Sequence, residues 1–186
     1  HRVTPIDYGD VCLNYDKAAF VTTSPPRSLA DLTDPAYRGM LVVEDPGTSS
    51  PGLAFLLATI ATFGEDGAYT WQDYWADLRA NDVAVAAGWE AAYYGSFSGG
   101  SGEGDRPLVV SYASSPPAEV IYADPPVSEA PTAVVTTGCF RQVEYAGILR
   151  GTDREAAARH LIDFLLSGRF QEGLSPMCLS ISRLPK

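Results

Sequence analysis

One strand-to-helix passage does most to limit what this chain can fold into. Met40 to Val43 is an unbroken apolar run, the pattern of a strand covered on both faces, and it stops at Glu44-Asp45-Pro46. Gly47-Thr48-Ser49-Ser50-Pro51-Gly52 follows, and then the apolar run Leu53 to Phe63, with Gly64 placed to end a helix. A strand buried on both faces needs a layer on each side, so the passage points to an α/β layer architecture.

The rest of the chain repeats this alternation. Val11 to Tyr15 reads as a strand and Thr22 to Arg27, with Pro25-Pro26, as loop. Ser28 is placed to cap a short helix that runs through Leu32 and ends at Asp34-Pro35. Tyr69 to Ala80 reads as a helix whose Trp71, Tyr74, Trp75 and Leu78 face the core, while Asp73 and Asp77 lie on a solvated face. Val83 to Val85 is a short strand, and Gly88-Trp89 opens a helical stretch through Phe97.

The glycine-rich Ser98 to Asp105 lacks the Lys-Ser/Thr ending of a phosphate-binding loop and reads as a flexible connection. Leu108 to Ser111 is a strand, and Ser114 to Tyr122 a helix with Pro116-Pro117 in its first turn. Asp124 to Pro131 is loop. Thr132 to Thr136 and Phe140 to Leu149 read as two strands paired with each other. Asp153 then caps a helix, Arg154 to Leu166, with a core-directed face of Ala157, Leu161, Phe164 and Leu165.

Composition removes several function classes. The 23 Asp and Glu outnumber 13 Lys and Arg, giving a net charge of −10, which argues against nucleic acid and is compatible with a cationic ligand. The longest apolar run, Leu53 to Phe63, is too short to span a membrane, and the opening residues carry no signal-peptide pattern. Cys12, Cys139 and Cys178 have no CxxC spacing, which argues against zinc; they read as buried thiols, with one disulfide as the alternative. His160, inside the last helix, reads as structural.

Three junctions carry the chemistry. A hydroxyl residue before a helix accepts free backbone N–H groups, and Pro51 suits the first helical position, so Asp45 to Gly52 can be simple capping. The same junction aims backbone donors, hydroxyls and the positive helix end outward, which makes a small anion cradle. Gly88-Trp89 sets a large ring at a helix start. Ser111-Tyr112-Ala113-Ser114-Ser115-Pro116 repeats the strand, hydroxyl, proline order. Open α/β sheets bind ligands outside the carboxyl ends of their strands, where all three junctions belong. Hydroxyls for a phosphate and rings for a flat or cationic group make a small-molecule site.

These residues also resemble a known family. Asp7-Tyr8-Gly9, Tyr15-Asp16-Lys17, the Asp45 to Gly52 segment, Gly88-Trp89-Glu90-Ala91-Ala92-Tyr93, Ser111 to Pro116 and Phe140-Arg141-Gln142-Val143-Glu144 follow in order. Over nearly the whole chain, to about Gln171, this is similar to the thiamine-binding periplasmic proteins, the substrate-binding components of thiamine ABC transporters. The resemblance implies a type II periplasmic-binding-protein fold, here one three-layer αβα lobe with a mixed sheet and the N-terminal lobe largely missing. Residues 1–186 would form the C-terminal lobe, with crossover segments at about 1–20 and 140–186.

The resemblance further implies a cleft between lobes that closes on thiamine, thiamine phosphate or thiamine diphosphate, with no other cofactor. Ser49 and Ser50 match residues on the phosphate side; Trp89, Tyr112, Ala113, Ser114 and Ser115 match others that line the site. A membrane permease would be the partner, in a periplasmic or otherwise extracytoplasmic location, with lipid anchoring through an earlier segment as one route. Family members are longer and supply an acidic-glycine pair from the other lobe. Ala118 stands where some carry Tyr, and Ser175-Pro176-Met177-Cys178-Leu179 lacks an aromatic often found there.

Two other readings compete. Tyr93-Tyr94 is a tandem phenol pair of the kind that ferric-ion binders of this fold use. A serine hydrolase with Ser114 or Ser49 as nucleophile needs a base, and only His1 and His160 exist. There is no GxSxG elbow.

Overall fold

The computed structural model describes residues 3–177, with side chains described over 3–173. Five strands form one mixed sheet in the order β3-β2-β4-β1-β5. They are β1 (Val3–Asp16), β2 (Leu41–Glu44), β3 (Ala84–Ala86), β4 (Leu108–Tyr112) and β5 (Thr132–Gly147). β2 runs parallel to β3 and β4, whereas β1 runs antiparallel to β4 and β5.

Both faces are covered, as the apolar β2 requires. Leu41 and Val43 of β2 and Leu108 and Val110 of β4 face α1 (Ser50–Phe63) and α2 (Trp71–Ala80), and pack with Phe55, Ala58, Tyr74 and Leu78. The alternate residues Val42 and Val109 face the other way, onto Ala92, Tyr93 and Phe97 of a π-helical turn, Ala91–Ser96, and its edge. α3 (Ser115–Ile121) lies on that second side through Ser115, whose Oγ is 2.8 Å from Ser111 Oγ. The expected α/β layering with a mixed sheet therefore stands.

Local expectations hold for α1, where the Ser49 Oγ accepts the Gly52 N–H at 3.3 Å and Gly64 is the C-cap. α2 begins with a reciprocal cap between Thr70 and Asp73, and Tyr74 and Leu78 are buried as its spacing predicts. Tyr74 also donates to Leu29 O at 2.8 Å.

Several expectations are corrected. Thr132–Thr136 and Phe140–Leu149 are not partners of each other. They are one strand, β5, which pairs along the length of β1 with a register shift between Val11 and Leu13. β1 in turn extends well beyond Val11–Tyr15 because β5 gives it a continuous partner. Ser28 does not cap a helix: its hydroxyl donates to Asp31 Oδ1, and a single 3₁₀ turn, Ala30–Thr33, follows. The stretch after Gly88-Trp89 is π-helical rather than α-helical.

The three cysteines are not all thiols. Cys12 and Cys139 form a disulfide across β1 and β5, where strand pairing brings their Cα atoms to 4.4 Å. Cys178 lies outside the described residues, as do His1 and the end of the Ser175–Leu179 segment.

The Ser98–Asp105 loop is packed, not merely a connection. Ser98 N–H donates to Arg106 O, Glu103 N–H to Tyr94 O, and Gly104 N–H to Phe97 O. A Cβ on Gly104 would sit 2.1 Å from Ser96 backbone atoms, so only glycine allows this approach. The last two helices, α4 (Glu155–Leu165) and α5 (Gly168–Met177), touch through Phe164 and Phe170 at 5.4 Å. Asp153 does not cap α4, whose N-cap is Arg154. Nor does its apolar stripe enter the core: α5 meets it at Phe164, yet Leu161 stays 58 % and Phe164 48 % exposed.

Candidate functional site

The sheet order places the three junctions side by side, since β3, β2 and β4 are neighbours and run in one direction. Their carboxyl ends therefore open on a common edge, the position that open α/β sheets use for ligands. The Thr48 hydroxyl donates to Ala87 O at 2.7 Å and ties the start of α1 to the end of β3, just before Trp89.

At the first junction, Ser49 is spent on capping and is buried. Thr48 is committed to Ala87. Ser50 is exposed, its hydroxyl makes no hydrogen bond among the described residues, and it stands at the first turn of α1, where backbone donors and the helix dipole favour an anion. Ser50 also borders a shallow cavity of about 310 Å³ shared with Phe140, Gln142 and Glu144 of β5. The anion-facing donors thus narrow from three hydroxyls to one.

The second and third junctions are wired together. The Trp89 indole N–H donates to Ser111 Oγ at 2.8 Å, and Ser111 Oγ is the same distance from Ser115 Oγ. Trp89 stacks on Tyr93 with centroids 5.0 Å apart, meets Tyr94 edge-on at 5.4 Å, and lies 6.5 Å from the Tyr112 ring. Trp89 and Ser115 both line the cavity of about 560 Å³ described below. Ala113 and Ser114 form the turn between β4 and α3; Ser114 makes no cap, so its hydroxyl is left to the surface.

Tyr112 points to the opposite side of β4 from Ser111. Its ring lies 3.9 Å from where a Gly9 Cβ would be, and burial raises its phenol, helped by the charge of Glu144. Asp7, paired in register with Glu144, is raised by burial and by that neighbouring carboxylate. The β1–β5 side of this edge is therefore acidic, although the Arg141 guanidinium binds Asp10 at 2.8 and 3.0 Å and covers the Tyr8 ring at 4.6 Å.

Two residues here were not singled out from the sequence. Ser111 joins Trp89 to Ser115, and its place in the alternation of β4 assigns it to the Trp89 side. Glu44 ends β2, is wholly buried, and neither of its carboxyl oxygens has a hydrogen-bond partner. Burial pushes its pKa up to about 8. The alternation of Val42 and Glu44 could have flagged it, since both positions face the same covered side.

The competing readings find less support in this geometry. Tyr93 is a core residue whose hydroxyl donates to Glu119 Oε1 at 3.0 Å, and burial with that carboxylate holds the phenol well above its ordinary pKa. That is the reverse of what a phenolate ligand needs. His160 is exposed on α4, hydrogen-bonded to neither Ser49 nor Ser114. Among the described residues no cluster of His, Cys, Asp and Glu is arranged to hold a metal ion.

Known proteins agree with this architecture. The family model described as bacterial extracellular solute-binding protein matches residues 1–182. The thiamine-binding periplasmic protein of Salmonella typhimurium is 31% identical over 170 residues, covering 91% of this chain and 48% of that protein. A solved structure named periplasmic thiamin binding protein superposes with a TM-score of 0.80 at 27% identity, over 99% of this chain and 54% of that one. Iron-bound HitA from Pseudomonas aeruginosa, at 18% identity and a TM-score of 0.68, shares the fold over 99% of this chain and 56% of its own. The chain spans about half the length of the curated relatives it matches. With its mixed sheet, covered on both faces, and a match along nearly its whole length, this chain belongs to the bacterial extracellular solute-binding protein family.

Proposed function

We propose that this chain is the ligand-holding C-terminal lobe of an extracytoplasmic substrate-binding protein for thiamine or its phosphates, which closes on its ligand and passes it to an ABC transporter permease. Residues at about 1–20 and 140–186 would be the segments that cross between lobes. The long β1–β5 pair, pinned by the Cys12–Cys139 bridge, supports a stiff connection of that kind.

The observation that carries the reading is the Trp89–Ser111–Ser115 linkage beside Tyr112, at the edge where the Ser49–Ser50 helix start also opens. An aromatic face fixed by a hydrogen bond suits a cationic thiazolium ring through its quadrupole. Ser50 at the α1 N-terminus suits a phosphate tail without a full positive charge. The similarity to named thiamine-binding proteins supports the same ligand class. In this reading Ser49, Ala113, Ser114 and Ser115 shape the walls, while Ser50, Trp89 and Tyr112 touch the ligand.

Titrating the intact protein with thiamine and thiamine diphosphate, followed by tryptophan fluorescence, tests the assignment. Trp89→Ala should weaken thiamine at least about tenfold, the loss of one well-placed ring against a desolvated cation. Unchanged affinity would remove Trp89 from the site, and no binding of either compound to the wild type would reject the ligand class.

A further inference from the structure

A cavity of about 560 Å³ lies between the π-helical turn, the Gly100–Ser101 loop, α3 and the loop that follows it. Its walls include the rings of Trp89, Tyr94 and Tyr122, and its two carboxylates are Glu119 and Asp124. Lys and Arg are absent from its lining among the described residues. Tyr122 is 63 % and Tyr94 45 % exposed, so two of these rings keep free faces.

Glu119 is held at this wall from three directions. Oε1 accepts the Tyr93 hydroxyl at 3.0 Å and the Ser101 N–H at 3.4 Å; Oε2 accepts the Ser101 hydroxyl at 2.9 Å. All three partners donate, so the carboxylate is held in place without a positive charge to neutralise it. Two of the donors come from the loop whose glycines allow its close packing, which explains why that loop is folded down onto α3.

We infer that this cavity is a subsite for the cationic ring of the ligand, with Glu119 as its fixed counter-charge and Tyr94 and Tyr122 as the rings that flank it. The inference rests on the function proposed above and deepens it. A cation entering gains the carboxylate and the negative ring faces together. A phosphate there meets two carboxylates and no cation, so the phosphate arm that the thiazolium ring carries must point out of the cavity.

The experiment compares thiamine with its neutral thiophene-ring isostere by calorimetry on the intact protein. Wild type should prefer thiamine about tenfold, the scale of a half-exposed charge contact, and Glu119→Gln should cut that preference severalfold, leaving only what the rings and Asp124 supply. Tyr122→Leu, an exposed position whose truncation spares the core, should cost thiamine severalfold and the isostere nothing; it serves if Glu119→Gln fails to fold. An undiminished thiamine preference in the variants overturns the subsite. If the wild type binds neither compound, the proposed ligand class fails alone. Benzyltrimethylammonium against its uncharged tert-butyl counterpart then decides the subsite, with equal or absent binding of the two overturning it.

Discussion

Replacing Glu44 by Gln should stabilise the protein at neutral pH and remove most of a pH dependence that the wild type carries. The Glu44 side chain is fully buried at the end of β2, and neither oxygen is hydrogen-bonded. Burial raises its pKa from the ordinary 4.5 to about 8. Between those two pH values the folded protein keeps a proton that the unfolded chain has released, so stability falls as pH rises. The contribution is level below the lower value and above the upper one. Each pH unit is worth about 1.4 kcal/mol per proton, so the wild type should lose on the order of 4–5 kcal/mol across the window, about 3 of them by pH 7. Gln has nearly the same shape and cannot ionise. Urea unfolding of both proteins at pH 5, 6, 7 and 8 gives the difference directly. Asp31, Asp73 and Glu129, held below the usual carboxylate range by their hydrogen bonds, act at more acidic pH and cancel in the comparison. The tyrosines raised by burial act only in alkali. Parallel curves for the two proteins would refute the reasoning, because a carboxyl that titrates normally cannot generate a difference that grows with pH.

Reducing the Cys12–Cys139 bridge, or replacing both cysteines by Ser, should cost about 3–5 kcal/mol, since it ties residues 127 apart in sequence. Urea midpoints with and without reductant measure the loss, and coincident midpoints would contradict it. Gly52→Ala places a Cβ 2.5 Å from the Glu44 carbonyl oxygen and should cost about 1–3 kcal/mol as the α1 start is pushed off β2. Gly88→Ala, where nothing lies within 4 Å, is the matched control; equal thermal melting of the two variants would refute the clash.

The local parts of the fold were legible because their causes are local. The apolar run ending at Val43, the Ser49 cap, Pro51 and Gly64 act within a few residues of each other, and α1 and β2 form where they predict. The spacing of Tyr74 and Leu78 likewise states which face of α2 is buried. What failed was pairing between distant segments. Thr132–Thr136 and Phe140–Leu149 read as two strands paired with each other. β1, more than a hundred residues earlier, pairs with both halves and makes them one strand. The same pairing sets Cys12 against Cys139, which no spacing rule reveals. The stripe on α4 was read correctly as apolar, but an apolar stripe reports only a preference for burial, and α5, which meets Phe164, leaves Leu161 and half of Phe164 exposed.

The site follows the same division, and the division explains its chemistry. Each junction could be found alone, because strand, hydroxyl, proline and helix are consecutive. Their neighbourhood depends on the sheet order, in which β2 lies between β3 and β4 and brings the ends at Glu44, Ala86 and Tyr112 together. Once that order is set, the polar residues divide by what they can still offer. Ser49, Thr48 and Ser111 are already satisfied within the protein and hold the frame. Ser50 keeps an unpaired hydroxyl, and Glu119 keeps an uncompensated charge although three donors fix it. Recognition needs groups that are positioned yet unspent, because a donor already bonded gains little from a ligand and a mobile one must first be ordered. Glu119 was invisible in the sequence for that reason: its role comes from Tyr93 and Ser101, which hold it from 26 and 18 residues away.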